Sequence, residues 1–146
     1  MGRGPFQYLM FLLLAVSCSA PSQMEDFRPV DERDSLGRFV YSIDMSDSLS
    51  VYDILFYTRV DCPDKLFAEL QNTKVDVGLL SPSGISYEET VYIPITSFTS
   101  DRKGTYDCQV EYRKGLVPVE WGTWRMYIVL PELKGMHGMG VINRKR

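Results

Sequence analysis

The sequence is poor in the residues on which most enzymes rely. One histidine, His137, occurs in 146 residues, so any Ser-His-Asp, Cys-His or imidazole-assisted mechanism must pass through that single side chain. It lies in Gly135-Met136-His137-Gly138-Met139-Gly140, where a histidine in a turn is the plainer reading than a general base. Three cysteines are present, and none is spaced with a His or Cys partner to suit zinc. No glycine-rich loop opens a helix for phosphate and no acidic calcium loop occurs. No cofactor and no metal are therefore expected, and no catalytic residue is assigned. Positive charge is not in excess. With 16 Lys and Arg against 19 Asp and Glu the net charge is −3, which offers phosphate backbones no long-range attraction and argues against a nucleic acid partner. Low-complexity blocks are lacking and aromatics make up 12 %, so the main body is expected to fold.

What the sequence does contain begins with a secretory start. Arg3 precedes the apolar run of residues 6–16, which is too short to span a bilayer as a mature helix, and no later stretch is long and apolar enough to do so. The run ends in Ala15-Val16-Ser17-Cys18, which resembles the lipobox of bacterial lipoproteins. Residues 1–17 read as the signal peptide and Cys18 as the acylated first residue of the mature protein; the alternatives are a signal cut after Ala20 and an uncleaved anchor. Each acyl methylene contributes about 0.8 kcal/mol, so a multiply acylated Cys18 holds a domain at a membrane with no transmembrane helix. Loss of Arg3 takes the net charge from −3 to −4. Residues 18–38, rich in Ser, Pro, Asp, Glu and Arg, read as a flexible tether, and Ser19 after the cysteine follows the sorting pattern for the outer membrane.

The remainder, residues 39–146, is written in a period of two. Phe39, Tyr41, Ile43 and Met45 alternate with polar or smaller residues, as do Tyr52, Ile54 and Phe56. Val75, Val77 and Leu79 lead through Ser81-Pro82-Ser83-Gly84 into a return strand over residues 85–93, the clearest hairpin in the chain. Tyr106, Cys108, Val110 and Tyr112 form another face; Trp124, Met126, Ile128 and Leu130 follow before Pro131, and residues 140–144 supply a last edge strand. A helical turn or two is expected only near residues 64–71, where Phe67 and Leu70 share a face. About seven short strands with regular turn signals predict an all-β fold, an antiparallel β-sandwich.

Lipidation of Cys18 leaves Cys62 and Cys108, and an even remainder in an oxidising compartment points to a disulfide. Closing 45 intervening residues, it would contribute roughly 4 kcal/mol in the chain-entropy picture; the alternative is two unpaired thiols. Met136, His137 and Met139 offer soft and borderline donors to copper, although methionines flanking a turn more commonly pack against the end of a sandwich. Glu88 and Glu89 read as a solvated strand edge rather than a catalytic pair, and Arg144-Lys145-Arg146 as a short basic tail able to touch anionic lipid.

The last third carries a resemblance. Gly122-Thr123-Trp124, an alternating strand, and then Leu133-Lys134-Gly135-Met136 through Met139-Gly140-Val141-Ile142 resemble the closing signature of the gliding-motility lipoprotein H (GldH-like) family. Pro82-Ser83-Gly84 followed by Glu89-Thr90-Val91 is similar to that family's central hairpin and return strand. Two departures stand against it: Val129-Leu130-Pro131 occupies the place of a Met-Arg pair, and the loop after the hairpin is reduced to Arg102-Lys103-Gly104-Thr105-Tyr106. The resemblance implies a non-catalytic outer-membrane lipoprotein of the cell envelope, tied to gliding motility and type IX secretion, with other envelope proteins as partners. Glu25-Asp26 lies well down from Cys18, whereas surface display in such bacteria is marked by acids nearer the cysteine, so a periplasm-facing position is expected. The second reading is a lipid-tethered β-sandwich that binds carbohydrate or another small ligand, with Trp121, Tyr87 or Tyr92 as the platform. An enzyme ranks third.

Overall fold

The computed structural model describes residues 22–70, 72–94 and 98–146. The signal segment and Cys18 lie outside the described residues. Among the described residues nine strands form two antiparallel sheets. One sheet has five strands in the order β1-β9-β3-β7-β6, formed by β1 (Gln23–Pro29), β9 (Met136–Lys145), β3 (Tyr52–Asp61), β7 (Thr105–Leu116) and β6 (Phe98–Arg102). The other has four in the order β2-β8-β4-β5, formed by β2 (Phe39–Met45), β8 (Gly122–Val129), β4 (Thr73–Leu80) and β5 (Ser86–Ile93). The expected antiparallel β-sandwich is the fold. One short helix, α1 (Asp64–Glu69), lies where it is expected, with Phe67 stacked on Tyr106 at 3.9 Å between ring centroids.

The alternation seen in the sequence becomes the core. Phe39, Tyr41, Ile43 and Met45 of β2 are buried with Ser42 and Asp44 outward, and Trp124, Met126 and Ile128 face them from β8. Tyr52, Ile54 and Phe56 of β3, Cys108 and Tyr112 of β7 and Val141 of β9 line the opposing sheet. Two polar bonds join β2 to β9 across the layers: the Tyr41 hydroxyl donates to the Met139 carbonyl at 2.6 Å, and Asn143 Nδ2 donates to the Asp44 carbonyl at 2.8 Å. Burial raises the pKa of the Tyr41 hydroxyl, which keeps it a donor throughout the physiological range. The β4–β5 hairpin turns through Gly84, whose φ of +93° is open to glycine at no steric cost.

Three expectations need correction. The stretch read as tether contains β1, which pairs in register with β9 from Gln23 opposite Arg144 to Pro29 opposite Gly138. The ladder starts one residue earlier still, where the Lys145 amide donates to the Ser22 carbonyl at 2.7 Å. The domain therefore includes residues 22–38. Because β1 is an edge strand with mostly exposed side chains, it leaves no period of two to read. Second, β9 is not an edge: β1 covers one side of it and β3 the other. Third, Cys62 and Cys108 are free and buried. The Cys62 amide bonds to the Gly104 carbonyl, four residues before Cys108, and Cys108 itself pairs with Thr58. Four residues of strand separate the thiols by about 13 Å, well past the roughly 7 Å between Cα atoms that a disulfide tolerates.

The inner position of β9 depends on its glycines. Phe27 of β1 and Tyr57 of β3 both stand opposite Gly140 and approach each other over it, with ring centroids 5.6 Å apart. A Cβ on Gly140 would overlap the Tyr57 ring, and one on Gly138 would overlap the Arg28 carbonyl and lie 2.7 Å from Phe27 Cζ. Neither glycine has a positive φ, so the requirement is one of space. Gly138→Val is thus expected to lower unfolding stability by about 1–3 kcal/mol, the range for overpacking, with selective loss of amide-exchange protection in β1. Chemical denaturation together with hydrogen exchange checks both. The thiols are expected to resist alkylation in the native protein and to label fully in denaturant without reductant; label that appears only after reduction would demonstrate a bridge.

Candidate functional site: an apolar cleft closed by a polar clasp

An apolar opening lies between the sheets on their β5–β7 side. It is a cleft of about 360 Å³ bounded by Val77 and Leu79 of β4, Tyr87 of β5, Leu116 at the end of β7, and Trp124 of β8. Its depth follows from the strand pattern. Residues 87, 89, 91 and 93 of β5 face inward, and Tyr87 meets Trp124 with ring centroids 5.9 Å apart. The loop of residues 117–121 forms one lip, bringing Val117, Pro118 and Val119 to the opening.

The other boundary of the cleft is polar. Glu89 points inward from β5 and accepts two bonds from the Arg113 guanidinium, at 2.5 and 2.6 Å, and one from the Tyr112 hydroxyl. The same guanidinium lies over the Tyr112 ring at 4.4 Å and donates to the Tyr112 carbonyl at 3.0 Å. A carboxylate of the four-stranded sheet is thus gripped by two adjacent side chains of the five-stranded sheet. Burial, and then the Glu89 bond, raises the Tyr112 pKa, so the phenol stays protonated and donating. Glu88, one residue earlier, is exposed on the other side of the pleat. The sequence pattern flagged the acids but gave no sign of the clasp, which joins residues 24 positions apart on different sheets.

The remaining sequence candidates are dispersed. His137 Nε2 lies 2.6 Å from Asp61 Oδ2, and the His137 bond is the main cause of the lowered Asp61 pKa. Beside them Arg59 holds Asp107 at 2.6 and 2.8 Å, lowering the Asp107 pKa in the same way. His137, Arg59, Asp107 and Tyr57 border a surface bowl that Cys108 also lines. Burial pushes the Cys108 thiol up to about 11, opposite to the activation that a nucleophilic cysteine needs. Met136 and Met139 are buried in the core while His137 is exposed, so the three donors do not share a site. Among the described residues no three His, Cys, Asp or Glu side chains converge as metal ligands. Tyr87 faces inward and Tyr92 outward on β5, and Trp121 sits in the β7–β8 loop, so the two tyrosines cannot form one flat sugar platform. The basic ending is partly inside β9: Arg144 Nε donates to Gln23, Lys145 pairs with Asp47 at 3.4 Å, and Arg146 clamps the buried Asp53 at 2.8 Å.

Glu89→Ala would leave the Tyr112 hydroxyl and the Arg113 guanidinium without their acceptor. The expected cost is about 1–3 kcal/mol, the penalty for stranding a partly buried donor, read as a lower unfolding midpoint with stronger binding of an apolar dye at the opened cleft. Neither a protein-family model nor a curated protein matches this chain.

Proposed function

We propose that the protein is a non-catalytic lipoprotein of the outer membrane, an accessory component of an envelope apparatus linked to gliding motility and type IX secretion. The observation that supports this reading is the open side of the sandwich. Along β7 the β6 pairing extends only as far as Cys108, and β5 ends its own sheet, so two strand edges flank the cleft without a further neighbour among the described residues. Such edges recognise other proteins by strand addition, which suits an accessory subunit better than a catalyst. The Cys18 lipobox supports the lipid anchor, and the closing-segment resemblance supports the motility and secretion link.

The cleft favours a second reading, a tethered module for a small ligand. Its lining makes that ligand apolar rather than a sugar. Cross-linking of the native lipoprotein in membranes, followed by affinity capture, separates the two. Recovery of motor or secretion components supports the first reading; their absence, together with saturable binding of an apolar probe abolished by Val77→Trp, reverses the order.

A further inference from the structure

The three loops at one end of the sandwich differ from the rest of the surface. Residues 46–51 join β2 to β3, residues 81–85 join β4 to β5, and residues 117–121 join β7 to β8. Register places them together: Tyr52 pairs with both Leu116 and Lys145, and Met45 pairs with Gly122. Ser83 Oγ donates to Glu120 at 2.6 Å across two of the loops. Their apolar side chains stand in solvent. Leu49 is 97 % exposed and Val119 81 %, with Ile85, Val117 and Trp121 also exposed. The same loops hold only two charged residues, Asp47 and Glu120. Asp47 accepts from the Leu49 amide and the Ser50 hydroxyl and pairs with Lys145, and Glu120 takes the Ser83 bond. By contrast, the β1–β2 connection at the opposite end carries Asp31, Glu32, Arg33, Asp34 and Arg38.

The chain enters the fold at this apolar end. Ser22, the first bonded residue of the ladder, pairs beside the Lys145 end of β9 and is four residues from Cys18. Four residues of fully extended chain reach at most about 14 Å. An anchor at Cys18 would therefore hold this end of the domain within about 14 Å of the bilayer surface.

We propose that this end of the sandwich is a membrane-docking face: Leu49, Val119 and Trp121 enter the headgroup–acyl boundary while the Arg144 guanidinium lies at phosphate level. The proposal rests on the reading of Cys18 as the lipid anchor. Exposed apolar loop tips gain free energy on entering the interface, tryptophan is favoured at that depth, and basic side chains at the rim meet anionic headgroups. The engaged states of Asp47 and Glu120 keep two lone carboxylates from opposing entry.

The test uses the mature acylated protein reconstituted into vesicles of phosphatidylethanolamine and phosphatidylglycerol, with and without brominated acyl chains. The chain has two tryptophans, of which Trp124 is in the core and Trp121 in the loop. Brominated lipid is expected to quench the emission, and Trp121→Phe is expected to remove most of that quenching. Leu49→Asp with Val119→Asp, both at solvent-exposed positions, is expected to reduce the quenching with an unchanged unfolding midpoint. Equal emission in the two kinds of vesicle overturns the docking face, as does quenching that the aspartates leave intact. Aspartates that convert a dimer to a monomer without altering quenching also overturn it, because the loops then meet a second copy. The mass of the Cys18 peptide is read on the same sample. A missing acyl increment removes the anchor and the docking face together, whereas an acylated Cys18 without quenching removes the docking face alone.

Discussion

The backbone ladder of β9, bonded on one side to β1 and on the other to β3, is the constraint on which the five-stranded sheet depends. Both neighbours approach with aromatic rings, Phe27 and Tyr57, and the strand between them accepts this only because Gly138 and Gly140 present no side chain on that face. On its other face β9 supplies Met139, Val141 and Asn143 to the interior, including both bonds to β2 that tie the two sheets together. A segment whose glycines look like a turn is thus an inner strand of its sheet, bonded on both sides. Glycine usually weakens a strand; here the missing side chain is replaced by the rings of its neighbours.

Much of this fold was legible because burial writes itself into strands. The inward faces of β2, β4, β7 and β8 follow the alternation residue for residue, and the β4–β5 turn sits where Pro82 and Gly84 place it. β1 was illegible for the same physical reason: an edge strand with little buried surface has no apolar face to repeat, and its Glu25, Asp26 and Arg28 look like tether. The free cysteines show a different gap. Parity of count and an expected oxidising compartment cannot detect that Cys62, just past the end of β3, stands four residues out of register with Cys108 on β7. The clasp was equally hidden, since adjacent glutamates are equivalent in a sequence and opposite in a pleated strand.

The polar clusters of this molecule hold elements together. Asp61 ties His137 and Thr105, Glu89 ties β5 to β7, and Asp53 ties the Gly115 amide and Arg146 to β3. In each case a carboxylate binds groups from distant parts of the chain. The bonds to Asp53 and Asp61 hold both pKa values below the ordinary range, so whatever stability they contribute is present above that range and is lost as the pH falls through the depressed values. These carboxylates brace the fold by joining its distant segments.

The pairing of β1 with β9 also orders events in time. Gln23 and Arg144 are 121 positions apart and meet side by side. Because the chain is made from its N-terminus, β1 comes first and waits for its partner until nearly everything between has followed. Closing so long a loop is slow, and a strand joined on a single edge opens first when the structure fluctuates. β1 consequently stays without its partner strand until nearly the whole chain has been made, and only then is drawn in as the sheet is completed.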